Sequence, residues 1–176
     1  FQNVPARLQF LKSPSTEISR IRTLMHQFAM AFPEVKFDLE IDERISFVSS
    51  GTGDLKKTYS SIYGPKLASA MLEIPVNESH YDGPVYVRGL ISPPDVSRSN
   101  RDHINLLVNG RPIYSRSLIY AIEEAYQGFL MVRRHPLAVI HIEVPSDRID
   151  VNVHPAKLEV RFKDESLIFS AIKRYI

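Results

Sequence analysis

"INLLVNGRPI", residues 104–113, is the stretch that decides the fold. Residues 104–108 are typical of a β-strand, and a second short strand follows at 111–113. Between them lies Asn109-Gly110, a pair that tolerates the positive φ angles of a two-residue turn. The stretch therefore predicts a β-hairpin.

The sequence around the hairpin predicts further strands and helices. Residues 85–91 read as a strand before it, and apolar residues at helical spacing follow Ser115. Residues 138–144 then alternate as a strand does, and a closing helix begins behind Asp164 as its N-cap. The order strand, hairpin, helix, strand, broken strand, helix predicts a mixed α/β fold, a two-layer sandwich with helices on one face.

An amphipathic helix is predicted near the start of the chain. Ser13, Pro14 and Glu17 form a combination typical of a helix N-terminus. The helix should end before Pro33, because apolar residues recur up to that point at intervals of three and four: Ile18, Ile21, Met25, Phe28, Ala29 and Phe32.

A domain boundary is predicted near residue 53. Strands at 36–41 and 45–49 precede a run of small residues, 49–54, that is typical of a flexible connection. The predicted domains are residues 1–53 and 54–176.

Composition narrows the class of protein. With 176 residues, 44% of them hydrophobic and 24% charged, the chain can bury one good core or two small ones, and we favour two. No apolar run approaches the ~20 residues of a membrane helix, so no membrane partner is expected. The absence of cysteine fits a reducing compartment. A net charge of +2 is too small to indicate nucleic-acid binding by itself, and the start at Phe1 indicates a segment of a longer protein.

The sequence lacks the usual catalytic motifs. The histidines never fall at ligand spacing, so no metal site is predicted. Gly51-Thr52-Gly53 lacks the setting of a phosphate-binding loop and is better explained as a linker. No serine lies in a Gly-x-Ser-x-Gly motif, so no catalytic residue is predicted.

Basic residues are dense in the second half of the chain. Charge alone favours a solvated face, while the functional alternative is a groove that follows phosphates and binds DNA without sequence preference. Tyr114 and Tyr120 could interleave with that groove or belong to the core. The residues concerned are Arg98, Arg101, Arg111, Arg116, Arg133 and Arg134.

The stretch "DVNVHPAKLEVRF", residues 150–162, is a strand pattern with an interruption. Pro155 cannot donate to a sheet ladder and biases His154 toward extended geometry, so the strand must bend or end there. Lys157 is left at a rigid corner, where its ammonium suits a phosphate oxygen. The ordinary alternative is a lysine that is merely exposed.

Three stretches together resemble the MutL family of DNA mismatch repair proteins. They are FQNVPARLQFLK at 1–12, VNGR at 108–111, and DVNVHPAK followed by EVRF at 150–162. They occur in the family's order over essentially the whole chain, which makes the resemblance specific. Asn3, Pro5 and Arg7 match the first motif, and we assign them a structural role.

The resemblance implies a domain layout. Residues 1–53 would be the C-terminal part of an ATPase domain of the gyrase, Hsp90, histidine-kinase and MutL (GHKL) type. Residues 54–176 would be the transducer domain, related in fold to the second domain of gyrase B and to a domain of a ribosomal small-subunit protein.

The resemblance also implies binding residues. Lys157 would contact the γ-phosphate of ATP, whose Mg²⁺ would be held by residues upstream of this chain. Because ADP lacks that phosphate, such a contact would favour a closed arrangement with ATP by a few kcal/mol. Arg116 matches a DNA-contacting arginine of the family, Arg111 is a weaker candidate, and Asn109-Gly110 are assigned to the turn.

The implied partners are DNA, a second copy or a paralogue joined through the ATPase region, and a mismatch-recognition protein of the MutS type. The location would be cytoplasmic in a bacterium or nuclear in a eukaryote. The family's water-activating carboxylate and lid glycines have no match here, so this chain alone should not hydrolyse ATP. Alternatives are a nucleic-acid-binding module with a purely structural strand corner, and the transducer of a related topoisomerase or chaperone.

Overall fold

The computed structural model describes residues 11–75, 85–150 and 160–176. Residues 1–10 of the motif at the start of the chain and the segment 151–159, which includes Lys157, lie outside these ranges. The elements in chain order are α1 (Pro14–Ala31), β1 (Asp38–Ile41), β2 (Arg44–Val48), α2 (Leu55–Tyr63), α3 (Pro65–Ala70), β3 (Leu72–Ile74), β4 (Tyr86–Ile91), β5 (Ser97–Arg98), β6 (Ile104–Val108), β7 (Arg111–Ile113), α4 (Arg116–Ala125), β8 (His135–Pro136), β9 (Ala138–Glu143), a 3-10 turn (Ser146–Arg148), β10 (Ile149–Asp150), β11 (Arg161–Phe162) and α5 (Glu165–Tyr175).

A five-stranded sheet in the order β3-β4-β9-β6-β7 organises the fold. β6 and β9 are parallel neighbours, while the other pairs in this sheet are antiparallel. Parallel neighbours need a crossover connection, which α4 supplies. The predicted hairpin is confirmed: β6 and β7 pair across Asn109 and Gly110, whose φ angles are 48° and 76°.

The two faces of the sheet support two separate cores. Leu106 and Ile140 face a cluster formed with α4 and α5, whereas Leu107 and Val139 face a cluster formed with α1, α2 and α3. The mixed α/β class is therefore confirmed. Helices α4 and α5 form the predicted helical layer on one face of the sheet. Helices α2 and α3, on the other face, were not predicted. Because β6 and β9 are central and buried, both of their faces need covering.

Helix α1 shares its core with the rest of the chain. Its predicted start is confirmed, with the Ser13 side chain accepting a hydrogen bond from the Thr16 amide. Met30, near its end, is buried in the same cluster as Tyr59 of α2. Ile21 of the predicted apolar stripe stays 48% exposed. The two cores are thus divided by the sheet, and the boundary at residue 53 stays a prediction.

Residues 49–54 are not the flexible connection that their composition predicted. The buried Ser49 hydroxyl accepts a hydrogen bond from the Phe37 amide at 2.8 Å and donates one to the Val35 carbonyl at 3.2 Å. A Cβ on Gly51, whose φ is 63°, would lie 2.8 Å from the Lys36 nitrogen. Gly51 is therefore required by close packing against the preceding loop, whereas a Cβ added to Gly53 would have nothing within 4 Å.

Gly89 allows a close approach between β4 and β9. Its φ is 150°, and a Cβ added there would lie 1.9 Å from the Val139 carbonyl oxygen. Since this neighbour is backbone at the centre of the sheet, it cannot move aside without breaking strand pairing.

We expect Gly89→Ala to destabilise the fold by at least about 4 kcal/mol, the range reached when a special backbone site is violated. Gly128→Ala is the matched control, because Gly128 also has a positive φ of 87° but nothing within 4 Å of an added Cβ. The control should lose only about 1–2 kcal/mol. Urea unfolding of both variants measures the difference, and equal losses would contradict this reading of the sheet.

His141 is a buried histidine on the face of β9 that meets α1. It is only 3% exposed. Burial, with a smaller contribution from Arg88, lowers the pKa of His141 to about 4, although a hydrogen bond with the Met30 backbone acts in the opposite direction. The side chain is therefore neutral in the folded protein at neutral pH.

The low pKa of His141 predicts a loss of stability in acid. Between pH 6.5 and 4 the unfolded chain binds a proton that the folded chain does not, so the free energy of unfolding falls as the pH drops. From pH 7 to pH 5 this loss is on the order of 2 kcal/mol. Urea unfolding at both pH values should show that His141→Gln removes most of this loss, while His26→Gln, at a half-buried histidine, removes less. A His141→Gln protein with the full acid sensitivity would contradict the assignment.

Candidate nucleic-acid interface

Arg111 lies at the exposed edge of the sheet. It is the first residue of β7, the edge strand, and pairs with Val108 across the hairpin turn. Pro112 follows, and an edge strand tolerates a residue that lacks a backbone donor. The hairpin geometry therefore displays the Arg111 side chain on the outside of the sheet.

Arg116 is the first residue of α4. Ser115 is the N-cap, and its hydroxyl accepts a hydrogen bond from the Leu118 amide at 3.3 Å. A cation in the first turn opposes the helix dipole, at a cost of about 0.3–1 kcal/mol, and this turn has no acidic residue of its own. The Glu165 carboxylate of α5 accepts a hydrogen bond from the Ser117 hydroxyl in this turn. An anion placed here would interact favourably with both the guanidinium and the helix N-terminus. The exposed Arg116 side chain is therefore positioned to contact an anion at the start of α4.

Some of the predicted basic residues serve the fold instead. Arg101 donates to both carboxylate oxygens of Glu123, at 2.6 and 2.9 Å, and His135 Nδ1 lies 2.6 Å from the same carboxylate. Arg134 donates to the Ser97 carbonyl at 2.6 Å. Burial alone would raise the pKa of Glu123, but its bonds to Arg101 and His135 outweigh burial and lower it. The charge of Arg101 is thus neutralised within the protein.

The remaining arginines divide differently. Arg98 is half-buried and donates to the Ser97 carbonyl at 3.2 Å. In the part of the chain that the structure describes, Arg111, Arg116 and Arg133 are exposed and form no ion pair or side-chain hydrogen bond. The dense cluster seen in the sequence is therefore reduced to three free cations.

Tyr114 and Tyr120 do not belong to the core. They are 51% and 59% exposed. Tyr120 lies one helical turn after Arg116 on α4, and its ring centroid is 6.2 Å from that of Phe169 in α5. Exposed aromatic rings beside cations are the combination on which nucleic-acid bases stack, which is compatible with the groove interpretation.

The segment that contains Lys157 has a fixed base. β10 and β11 are antiparallel, with Ile149 opposite Phe162 and Asp150 opposite Arg161. Phe162 is buried in the same core cluster as α4 and α5. The chain therefore leaves and returns at one place that is anchored to the core. The strand predicted after the interruption is observed in part as β11, whereas residues 151–153 of the strand predicted before it lie outside the described residues.

Asn109 is a functional candidate that sequence reasoning assigned to the turn alone. Its side-chain amide donates to the Val144 carbonyl at 2.9 Å and accepts from the Val144 amide at 3.0 Å. Its own backbone amide donates to the Ile142 carbonyl at 2.9 Å. Asn109 thus ties the hairpin to the end of β9, 35 residues away in sequence.

The described residues hold neither a metal site nor a membrane-spanning helix. Over the three described ranges, no group of three or more His, Asp or Glu side chains could hold a metal ion. None of the helices in those ranges combines the length and hydropathy required to span a membrane.

Comparison with known proteins identifies the class to which this fold belongs. The family described as "DNA mismatch repair protein, C-terminal domain" matches residues 59–176. The chain belongs to this family of DNA mismatch repair proteins.

The more particular resemblance to MutL is also confirmed. "DNA mismatch repair protein MutL" of Geobacillus kaustophilus (strain HTA426) is 38% identical over 178 residues, which cover 99% of this chain and 28% of that protein. The protein of the same name from Streptococcus thermophilus (strain ATCC BAA-491 / LMD-9) is 40% identical over 176 residues, which cover 100% of this chain and 27% of that protein. The chain therefore spans less than a third of the length of these relatives.

Solved structures share the fold. A structure described as "N terminal domain of a DNA repair protein" superposes with a TM-score of 0.76 at 21% identity, covering 99% of this chain and 56% of that chain. The Aquifex aeolicus MutL ATPase domain complexed with ADP gives a TM-score of 0.58 at 23% identity, covering 81% of this chain and 49% of that chain. At these identities the likeness concerns the fold alone.

Proposed function

We propose that this chain is the nucleotide-switched transducer part of a MutL-type mismatch repair protein. Residues 1–53 complete an ATPase domain, and residues 54–176 carry Lys157 to its nucleotide site. The chain couples nucleotide state to closure of a dimer and to DNA binding without sequence preference. DNA, a second copy or paralogue, and a mismatch-recognition protein of the MutS type are its proposed partners.

The fixed base of the Lys157 segment is the observation that carries the nucleotide-sensing part of the proposal. Because Asp150 lies opposite Arg161, residue 157 belongs to a short excursion that starts and ends at one anchored site. Residue 157 lies seven positions after Asp150 but only four before Arg161, so the shorter arm limits its reach to roughly 14 Å from that site. A cation on such a tether can meet a phosphate on a neighbouring domain without any rearrangement of the core.

The chemistry of the switch follows from one charge. When bound, ATP supplies a γ-phosphate that ADP lacks, and its Mg²⁺ would be held by residues upstream of this chain. The Lys157 ammonium is proposed to bind that phosphate as a compact charge. A charge-assisted contact contributes about 1.5–3 kcal/mol, enough to change the ratio of closed to open forms by tenfold or more.

The DNA-binding part of the proposal rests on Arg111 and Arg116. Both are exposed and unpaired within the described residues, and Arg116 occupies a helix position that an anion would stabilise. Contacts of this type bind phosphates and therefore do not select a base sequence. A nucleic-acid-binding module without nucleotide sensing is the second candidate, and the same two arginines favour it equally.

Charge reversal at these arginines tests the DNA interface. In the full-length protein, Arg116→Glu and Arg111→Glu should each weaken duplex DNA binding to a similar degree for unrelated sequences. Each should also lower the slope of log K against log salt by about 1, the value for one lost phosphate contact. Fluorescence anisotropy titrations over a range of salt concentrations measure both quantities.

Lys66→Glu is the matched control for that experiment. Lys66 is an exposed cation in α3, on the opposite face of the sheet from α4. Lys66→Glu changes the net charge by the same amount as Arg116→Glu. Because Lys66 lies away from the proposed interface, this variant should leave the salt slope unchanged. If Arg116→Glu behaves like Lys66→Glu, Arg116 belongs to an ordinary solvated face.

Lys157→Ala tests the nucleotide switch. In the full-length protein we expect ATP turnover and ATP-driven closure to fall by about tenfold or more, the equivalent of one charge-assisted contact. DNA affinity without nucleotide should stay unchanged. Lys163→Ala, at an exposed lysine just beyond β11, should leave both properties intact. Normal turnover and closure in Lys157→Ala would favour the simple DNA-binding module.

A further inference from the structure

The loop between α4 and β8 displays a group of exposed apolar side chains. Phe129, Met131 and Val132 are 71%, 83% and 90% exposed, and among the large hydrophobic residues that the structure describes only Ile45, at 79%, is comparably exposed. Single exposed apolar residues are ordinary on protein surfaces, whereas a contiguous group marks an interaction site. We call Phe129, Met131 and Val132 the apolar tip.

Hydrogen bonds order the backbone of this loop. The Phe129 amide donates to the Tyr126 carbonyl at 3.0 Å, and the Arg134 amide donates to the Met131 carbonyl at 3.1 Å. The second bond closes a turn in which Arg133 has a φ of 63°. Because the backbone is already ordered, binding at the apolar tip loses little conformational entropy.

Both ends of the loop are anchored to the body of the protein. On one side, the Tyr126 hydroxyl donates to the Ser92 carbonyl at 2.5 Å, and Leu130 packs against the core cluster of α4 and α5. On the other side, the Arg134 guanidinium donates to the Ser97 hydroxyl at 3.1 Å and to the Ser97 carbonyl at 2.6 Å. The apolar tip is therefore a fixed projection from the surface.

The surroundings of the apolar tip are positively charged. Within the described ranges, Arg133 and Arg134 form no ion pair with a carboxylate. The acidic residues near the end of α4 are already paired, Glu123 with Arg101 at 2.6 Å and Glu124 with a lysine of α5 at 3.4 Å. The loop therefore suits a partner that combines negative charge with apolar surface.

The apolar tip continues the candidate DNA interface along α4. Met131 and Tyr120 line the same hollow of about 340 Å³, and Arg116 lies one helical turn before Tyr120. From Arg116 to Ala125 the helix rises roughly 14 Å, which is the length of roughly four base pairs of duplex DNA. A duplex that runs along α4 can therefore meet Arg116 with a phosphate and the apolar tip with its bases.

From these observations we propose that the apolar tip is a wedge that inserts between base pairs of duplex DNA from the minor groove. This inference rests on the DNA binding proposed above and adds a contact of different chemistry to it. Apolar side chains such as Phe and Met act in this way in proteins that kink DNA, and the cost is the unstacking of a base step.

An anionic lipid surface is the other partner that combines negative charge with apolar groups. Two observations favour DNA. The hollow beside Met131 joins the apolar tip to Tyr120 and, through it, to the side of α4 that displays Arg116. The chain also belongs to a family of DNA mismatch repair proteins.

Polar substitutions in the apolar tip test the wedge. The double variant Phe129→Ser/Val132→Ser removes apolar surface at two exposed positions, so urea unfolding should match that of the parent. Phe129→Leu keeps the apolar bulk and is the conservative variant. Leu72→Ser is the matched control, because Leu72 is 52% exposed on β3, at the edge of the sheet opposite to β7.

The first measurement is the Kd of the full-length protein for duplex DNA over a range of salt concentrations. The double variant should bind at least about fivefold more weakly, the loss expected for one stacking contact. An apolar contact releases no counterions, so the slope of log K against log salt should stay at the parental value. Phe129→Leu and Leu72→Ser should keep the parental Kd.

The second measurement detects unstacking directly. A duplex with 2-aminopurine at several positions becomes more fluorescent when the neighbouring bases unstack. Saturating parental protein should raise this fluorescence, and the double variant should lose more than half of the rise. A parent that causes no rise would overturn the inference, because the apolar tip would then contact DNA without entering it.

Vesicles that contain phosphatidylserine distinguish the lipid alternative. The parent and the double variant should bind them equally. If the double variant loses vesicle binding and keeps the parental Kd for DNA, the apolar tip is a membrane contact and the wedge is wrong.

Arg116→Glu separates this inference from the function on which it rests. If Arg116→Glu lowers the salt slope and the double variant keeps the parental Kd, the DNA interface is correct and the wedge is wrong. If Arg116→Glu changes neither the affinity nor the slope, the proposed DNA interface itself fails.

Discussion

The bonds between the Asn109 side chain and the Val144 backbone are the interaction on which the arrangement of this protein depends. The Asn109 side-chain nitrogen donates to the Val144 carbonyl at 2.9 Å, and the side-chain oxygen accepts from the Val144 amide at 3.0 Å. These two bonds close the end of the parallel β6–β9 pair. Along the chain, Asn109 is followed closely by the edge strand β7, and Val144 is followed by the 3-10 turn and β10. The positions of both candidate binding elements are therefore set at a single turn.

The sheet explains why residues on either side of the predicted boundary cannot be treated as independent units. Met30 of α1 and Tyr59 of α2 are buried in one cluster on one face, whereas α4 and α5 cover the other. A movement of α1 changes the packing of β6 and β9, because close-packed cores transmit displacement rather than absorb it. The proposed coupling between nucleotide and DNA uses this property of the fold.

Local chemistry made much of the fold predictable. The helix caps at Ser13, Ser115 and Asp164 and the turn at Asn109-Gly110 each act within a few residues, so the sequence indicates them directly. The contact of Asn109 with Val144 spans 35 residues and the pairing of Arg101 with Glu123 spans 22, and neither has a local signal. For this reason the sequence predicted a denser basic surface than the structure provides, and assigned Asn109 to the turn alone.

The central claim is that the base of the Lys157 segment responds to the γ-phosphate. Hydrogen exchange at the Lys163 amide, which donates to the Arg148 carbonyl at 2.9 Å beside β10 and β11, reports on that base directly. In the full-length protein this amide should exchange more slowly with a non-hydrolysable ATP analogue than with ADP, because binding of the lysine would hold the segment closed. Equal protection in the two nucleotide states would contradict the account.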